Sequence, residues 1–198
     1  MAMARISELT RVTSETSISL RLDLDGTGQV EVSTGVGFFD HMLTALGRHG
    51  RFDLSIEADG DLHIDAHHTV EDVGIVLGQA VRQALGEKRG IVRFGQAVVP
   101  MDEALVEVAI DLSGRAHVAW SVGFERPMLG DMDTQLVEEF FRAFGGNALI
   151  NLHVIQRAGS NAHHVAEACF KALARALRMA VAIDPLAGDD VPSTKGSL

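Results

Sequence analysis

Apolar and polar residues alternate strictly in two separate parts of the chain, once in each half. Alternation with period two is typical of strands that bury one face. The apolar positions are Ile18, Leu20, Leu22 and Leu24, and then Val106, Val108, Ile110 and Leu112. Asp25-Gly26 and Ser113-Gly114 supply residues that favour hairpin turns. Further strands are predicted after these turns, at 29–33 and 116–122.

Two longer segments repeat their apolar residues at helical spacing instead, and each predicts an amphipathic helix. Their apolar positions are Val70, Val73, Val76, Leu77, Ala80, Val81 and Leu85 in the first, and Val165, Cys169, Leu173, Leu177 and Val181 in the second. Shorter helices are predicted at 39–47 and 135–145, and each precedes a strand, at 52–57 and 148–156. Each half therefore reads strand, strand, helix, strand, helix.

The two halves are copies of one unit. An offset of 96 (163 minus 67) aligns His67, His68, Glu71, Leu77, Ala80, Arg82 and Ala84 with identical residues, and an offset of 88 (103 minus 15) aligns Glu15, Asp23, Leu24 and Gly26 in the same way. We predict an α+β fold in which two sheets sandwich a helix layer. The predicted halves are 1–90 and 91–187, and 188–198 forms a C-terminal tail of the same compact subunit.

Composition and charge exclude several classes of protein. The chain has 198 residues, of which 46% are hydrophobic and 22% charged, as in ordinary folded proteins. A net charge of -10, without a cluster of Lys and Arg, argues against binding to nucleic acid. No stretch is long enough to span a membrane, and the start Met1-Ala2-Met3-Ala4-Arg5-Ile6 lacks the apolar core of a signal peptide. With a single cysteine, Cys169, a cytoplasmic location is expected.

Paired histidines open both long helices, as His67-His68-x-x-Glu71 and His163-His164-x-x-Glu167. Residues four apart share a helix face, so the first histidine and the glutamate of each motif can bind one ion. Adjacent histidines point about 100° apart, so each motif suits two different ions. Nitrogen and carboxylate donors together suit Mn, Fe, Zn or Ni. A single such pair is more often an ordinary helix start, but matched copies favour two metals.

Three other residues near these motifs are candidates. His41 begins the first short helix, and an offset of 98 (139 minus 41) makes Glu139 its counterpart. Both side chains can bind metal. Asp72, beside Glu71, is predicted to orient a ligand.

Six segments together resemble imidazoleglycerol-phosphate dehydratase of histidine biosynthesis, and they run in family order over almost the whole chain. They are LDGTG (24–28), FDHML (39–43), HHTVED (67–72), MDEAL (101–105), DLSGR (111–115) and PSTKG (192–196). The resemblance implies an internally duplicated α+β subunit. It also implies two manganese ions per subunit, bound between subunits of a homo-oligomeric shell of twenty-four chains.

Carried over by position, the resemblance assigns roles to individual residues. The metal ligands would be His41, His67, His68, Glu71, His163, His164 and Glu167, with Glu139 where many family members have histidine. The substrate phosphate would be held by Arg93, Arg115, Lys171, Ser193 and Lys195, and Glu15 and His49 would lie around the substrate. Taken singly, each basic residue is more often a solvated surface charge.

The reaction so implied dehydrates imidazoleglycerol phosphate to imidazole-acetol phosphate. The proton to be lost sits on carbon beside the imidazole and is barely acidic, so metal on the ring nitrogen would be needed to stabilise an imidazolate. We predict catalytic carboxylates at Glu15, Glu71 and Glu167, with Glu15 as the proton shuttle because it is not assigned to metal.

Two other functions use the same residues. A two-metal phosphoester hydrolase would activate water with these ligands, but the chain lacks the further Asp-rich motifs that are usual there. A metal-storage or metal-sensing shell would need no phosphate anchors, so the predicted anchors argue against this function.

Because ligands borne on helices are hard to satisfy within one chain, we expect metal binding and oligomerisation to be coupled.

Overall fold

The computed structural model describes residues 4–196 and 198. The first half contains β1 (Ile6–Val12), β2 (Thr16–Asp23), β3 (Val30–Ser33), α1 (Gly37–Gly50), β4 (Asp53–Gly60) and α2 (His67–Leu85). The second contains β5 (Phe94–Met101), β6 (Ala104–Asp111), β7 (His117–Ser121), β8 (Met128–Leu129), β9 (Met132–Asp133), α3 (Gln135–Ala148), β10 (Asn151–Ala158) and α4 (Ala162–Val181). Residues 1–3, used above for the targeting prediction, and Ser197 of the predicted tail lie outside the described residues.

The two halves form matching four-stranded sheets, with strand orders β1-β2-β4-β3 and β5-β6-β10-β7. In each sheet the first three strands in this order are antiparallel and the last pair is parallel. Burial alternates strictly along β2 and β6, as the period-two pattern predicts. The α+β class and the internal duplication are confirmed.

Each half has one more strand at its start than the sequence pattern predicted. β1 and β5 precede the predicted first strands, so both halves share the order strand, strand, strand, helix, strand, helix, and the second half adds β8 and β9 before its first helix. Both β1 and β5 are edge strands, and an edge strand tolerates a residue that cannot form a hydrogen bond to a neighbouring strand. β5 contains Gly95 and Pro100, which weaken the strand signal in its sequence.

A hairpin of β8 and β9 breaks the symmetry between the halves. Thirteen residues (122–134) separate β7 from α3, but only three (34–36) separate β3 from α1. This difference of ten equals the change of repeat offset from 88 to 98. The sequence pattern did not predict the hairpin, because strands of two residues are too short to show a period.

The helices lie between the sheets and pack across the two halves. α2 contacts α3 and α1 contacts α4, while α2 covers β1 and β2, and α4 covers β5 and β6. At the centre, Phe140 stacks on Phe170 with ring centroids 4.9 Å apart and meets Phe39 edge-on at 5.5 Å. The halves therefore share one hydrophobic core. Within residues 4–196 and 198, no helix is long and apolar enough to cross a membrane.

Candidate metal and substrate site

Both double-histidine motifs lie in the first turn of a long helix. The carboxylate of Asp65 accepts a hydrogen bond from the His67 backbone N–H at 2.8 Å. In the second half the side chain of Asn161 accepts from the N–H groups of His163 and His164. These contacts satisfy backbone donors that a helix leaves free at its N-terminus.

His41, His163 and Glu167 bring three potential ligand atoms within 4.8 Å of one another. His41 Nε2 and His163 Nε2 lie 3.3 Å and 3.2 Å from the same oxygen, Oε2 of Glu167. His41 comes from α1 and the other two from α4, so the packing of these helices creates the set. No other group of three such residues was found in the described part of the chain. Two imidazoles and a carboxylate are donors that fit a divalent transition-metal ion.

Glu167 is buried yet remains suited to bind a cation. Burial raises the pKa of its carboxyl group, but hydrogen bonds from Lys171 and His41 and their charges outweigh this effect and leave the pKa lowered. Lys171 Nζ lies 2.7 Å from the second oxygen, Oε1. The carboxylate therefore stays ionised, with one oxygen facing the histidines.

The corresponding set in the first half is less complete. His67 Nε2 and Glu71 Oε2 are 3.8 Å apart. Glu139, on α3, is not brought into a three-residue set with them. Asp72 does not orient a histidine, contrary to the prediction, since its carboxylate binds Arg11 and Thr16. Its burial explains this, because a buried carboxylate must be paired where it lies.

The second histidine of each pair is held by a carboxylate that the sequence analysis did not identify. His68 Nδ1 lies 2.9 Å from Asp61 Oδ2, and His164 Nδ1 lies 2.7 Å from Glu103 Oε2. These hydrogen bonds raise the pKa of each histidine. The His164 contact, with the Asn161 N–H, lowers the pKa of Glu103 to about 2. The repeat offset could have drawn attention to Glu103, the counterpart of Glu15, but nothing in the pattern marks Asp61.

Glu15 and His49 lie near different parts of this region. Glu15 is exposed at the β1–β2 turn, and its carboxylate is 3.8 Å from His68 Nε2. His49 lies in the last turn of α1, where partial burial and then the charge of Lys171 lower its pKa. The charges of Lys171 and Glu167 both act on the His49 ring, so His49 belongs to the same region as this pair.

The remaining predicted phosphate anchors gather elsewhere, around the C-terminal tail. The guanidinium of Arg93 donates to both oxygens of Asp111, at 2.7 and 3.1 Å, and to the Pro192 carbonyl at 2.7 Å. Ser193 follows directly, and its hydroxyl accepts from the Lys195 N–H. Arg115 is exposed in the turn whose Gly114 lies against Leu198.

This second group of anchors is far from the histidines within one chain. The Arg93 N–H donates to the carbonyl of Ala180, at the C-terminal end of α4. Glu167 lies thirteen residues earlier on the same helix (180 minus 167), which is about 20 Å at 1.5 Å per residue. The structure therefore unites Lys171 and His49 with the metal ligands, but not Arg93, Arg115, Ser193 and Lys195.

Comparison with known proteins gives one consistent result. A family model described as imidazoleglycerol-phosphate dehydratase matches residues 34–177. The imidazoleglycerol-phosphate dehydratases of Granulibacter bethesdensis and Acidiphilium cryptum are 70% and 69% identical to this chain over 196 residues, covering 99% of it and 100% of each relative.

Solved structures agree with these relatives. The crystal structure of imidazoleglycerol-phosphate dehydratase from Staphylococcus aureus matches with a TM-score of 0.82 and 39% identity, over 90% of this chain and 99% of that one. The enzyme from Pyrococcus furiosus, in complex with (S)-C348, matches with a TM-score of 0.83 and 37% identity, over 96% and 100%.

Proposed function

Because the chain belongs to the imidazoleglycerol-phosphate dehydratase family, hydro-lyases of histidine biosynthesis, we propose that its dehydration reaction depends on two divalent metal ions per subunit. Manganese is the ion we favour. The substrate would be D-erythro-imidazoleglycerol 3-phosphate and the product imidazole-acetol phosphate. The observation that carries the metal proposal is the convergence of His41, His163 and Glu167 from two helices.

The proposed ligands fall into two sets, one for each ion, and the packing of the helices determines which ligands lie together. His41, His163 and Glu167 would hold one ion, and Glu139, His67 and Glu71 are their counterparts for the other. His68 and His164 point away from these sets toward Asp61 and Glu103, so we propose that they complete sites on neighbouring chains. Ions bound at these two sites would withdraw electrons from the substrate's ring and favour its imidazolate form. This would make departure of the hydroxyl group easier.

The protons of the reaction must be transferred by side chains of the protein, and we propose Glu15 for this role. Its side chain is half exposed, and among the described residues the only side-chain nitrogen of a basic residue within 4.0 Å of its carboxylate is His68 Nε2, at 3.8 Å. A carboxylate without a short hydrogen bond is free to take a proton from carbon or give one to the departing oxygen. Glu71 and Glu167 remain the other carboxylates beside the reacting groups, Glu167 being held ionised by Lys171.

The phosphate is proposed to be bound by residues of more than one chain. Lys171 and His49 lie beside Glu167, whereas Arg93 lies at the far end of α4, about 20 Å away by the helix rise. A single small substrate cannot reach both groups in one chain. We therefore propose that Arg93, Arg115, Ser193 and Lys195 serve the site of a neighbouring chain in a large homo-oligomer of twenty-four subunits. A cytoplasmic location, with Cys169 buried and unpaired, completes the proposal.

The function is tested by incubating the purified protein with imidazoleglycerol phosphate and following the ketone product. Manganese-loaded protein should form it, chelated protein should not, and added Mn²⁺ should restore it. Product formation at the full rate after complete chelation would contradict metal dependence. Release of inorganic phosphate would favour a phosphoester hydrolase, and metal uptake without any product would favour a storage shell.

The shared site is tested by light scattering on the same samples. Chelation should reduce the particle size, because ions held between chains hold those chains together. A particle of unchanged size after chelation would contradict the proposed position of the ions.

A further inference from the structure

His68 and His164 occupy equivalent positions in the repeat, but they are held by carboxylates that are not equivalent. Glu103, which binds His164 Nδ1, lies in the β5–β6 turn, and its counterpart at offset 88 is Glu15. Asp61, which binds His68 Nδ1, directly follows β4. At offset 98 the counterpart of Asp61 is Gly159, which has no side chain. The two halves therefore use different residues for the same contact.

A difference in loop length accounts for the exchange. Six residues (61–66) separate β4 from His67, whereas four (159–162) separate β10 from His163. In the short loop, the carboxylate of Glu103 accepts the N–H of Asn161 at 2.9 Å as well as His164. In the long loop, the Asp61 N–H donates instead to the backbone carbonyl of Glu15. This contact involves only the backbone of Glu15, and its carboxylate, 3.8 Å from His68 Nε2, makes no hydrogen bond within the described residues.

The surroundings of Asp61 suit the task of fixing one imidazole ring. Its side chain is only 13% exposed, and its other oxygen, Oδ1, is buried without a hydrogen-bond partner in the described structure. An ionised carboxylate can only accept, so the proton of a neutral His68 ring lies on Nδ1. The lone pair then lies on Nε2, the atom that faces Glu15 at 3.8 Å.

We propose that Asp61 is a positioning residue that holds His68 through Nδ1, presents Nε2 to a metal ion, and so releases Glu15 for proton transfer. Glu103 does the same for His164 and is thereby not available for proton transfer. The inference rests on the proposed metal function. It means that the two halves, although equivalent in fold, contribute different carboxylates. Glu15 faces His68 Nε2 at 3.8 Å, whereas its repeat counterpart Glu103 holds His164 Nδ1 and Asp102 faces His164 Nε2 at 3.5 Å.

Metal binding gives the first test. Mn²⁺ affinity would be measured on the full-length protein by calorimetry or electron paramagnetic resonance. Asp61→Ala and Glu103→Ala should each weaken one Mn²⁺ site by about 10- to 100-fold, as loss of a residue that orients a ligand typically does. Asp61→Asn, which keeps an acceptor oxygen, should recover much of the affinity. Glu15→Ala and the matched control Asp59→Ala, an exposed aspartate on β4, should bind Mn²⁺ as the unaltered protein does.

The position of the ring proton gives a second test that needs no metal. In metal-free protein, nitrogen NMR of labelled histidine should show the neutral His68 ring protonated on Nδ1, and Asp61→Ala should move the proton toward Nε2. The signal is assigned by its loss in His68→Gln. A proton on Nε2 in the unaltered protein, or a loss of affinity in Glu15→Ala as large as in Asp61→Ala, would overturn the inference. Protein that binds no Mn²⁺ would refute the metal proposal alone, and the ring proton would still decide the role of Asp61.

Discussion

Lys171 donates a hydrogen bond to Glu167 across 2.7 Å, one helical turn along α4. The other oxygen of the same carboxylate faces His41 and His163. One side chain thus connects a proposed phosphate anchor to a proposed metal ligand set. A substitution of Lys171 should therefore alter substrate binding and metal binding to different extents.

Replacing Lys171 with Met should lower kcat/KM for imidazoleglycerol phosphate by about 10- to 150-fold. This corresponds to the loss of one hydrogen bond to a charged group, about 1.5–3 kcal/mol. Steady-state kinetics at saturating Mn²⁺ measures the effect. Arg178→Met, an exposed cation on the same helix, is the control and should retain normal kinetics. Normal kinetics in Lys171→Met would remove Lys171 from the substrate site.

Replacing Glu15 with Gln should lower kcat by about 10²- to 10⁴-fold, the usual contribution of a general acid or base. Bound manganese, measured by atomic absorption, should stay unchanged because Glu15 is not a proposed ligand. Glu31→Gln, at an exposed position on β3, serves as the control. Full turnover with unchanged metal content in Glu15→Gln would rule out this role.

Removing one ligand from a proposed metal site should weaken the binding of the ion at that site only. His41→Ala takes a donor from the set that converges in this chain, so Mn²⁺ titration should show one of two sites weakened by at least about tenfold. Glu139→Ala should weaken the other site. Unaltered binding in Glu139→Ala would show that this glutamate is not a ligand, while leaving the His41 site in place.

The close packing of α2 on α3 should be sensitive to one methyl group. A Cβ atom added at Gly78 would lie 2.5 Å from the Phe144 carbonyl oxygen, whereas one added at Gly146 would meet nothing within 4 Å. Gly78→Ala should lower the free energy of unfolding by about 1–3 kcal/mol through overpacking. Gly146→Ala should raise it, by about 0.5–1 kcal/mol, because alanine favours a helix. Equal effects in urea unfolding would contradict this packing.

The β2–β3 turn should stabilise the protein in a pH-dependent way. Asp53 accepts hydrogen bonds from the N–H groups of Gln29, Thr27 and Gly28, which lower its pKa below the usual 3.8. Its contribution to stability is thus fully present above pH 3.8 and is lost as the pH falls through the lowered value. Asp53→Asn should unfold at lower urea concentration than the unaltered protein at pH 7, and the gap should narrow in acid. A gap independent of pH would contradict ionic binding in this turn.

The sequence by itself determined those features that depend on local geometry. Helical hydrogen bonding places residues four apart on one face, so the pairing of His163 with Glu167, and of Glu167 with Lys171, follows from spacing alone. Alternation likewise revealed the buried strands β2 and β6, and the matched motifs revealed the duplication.

Only the tertiary structure decided which distant residues meet. His41 reaches Glu167 across 126 positions of sequence because α1 packs on α4. Two extra residues in one loop decide that Asp61 holds His68 while Glu103 holds His164. The length of α4 separates Arg93 from Lys171. Periodicity records which face of an element is buried, but not which neighbour buries it, and that choice depends on packing and loop length over the whole chain.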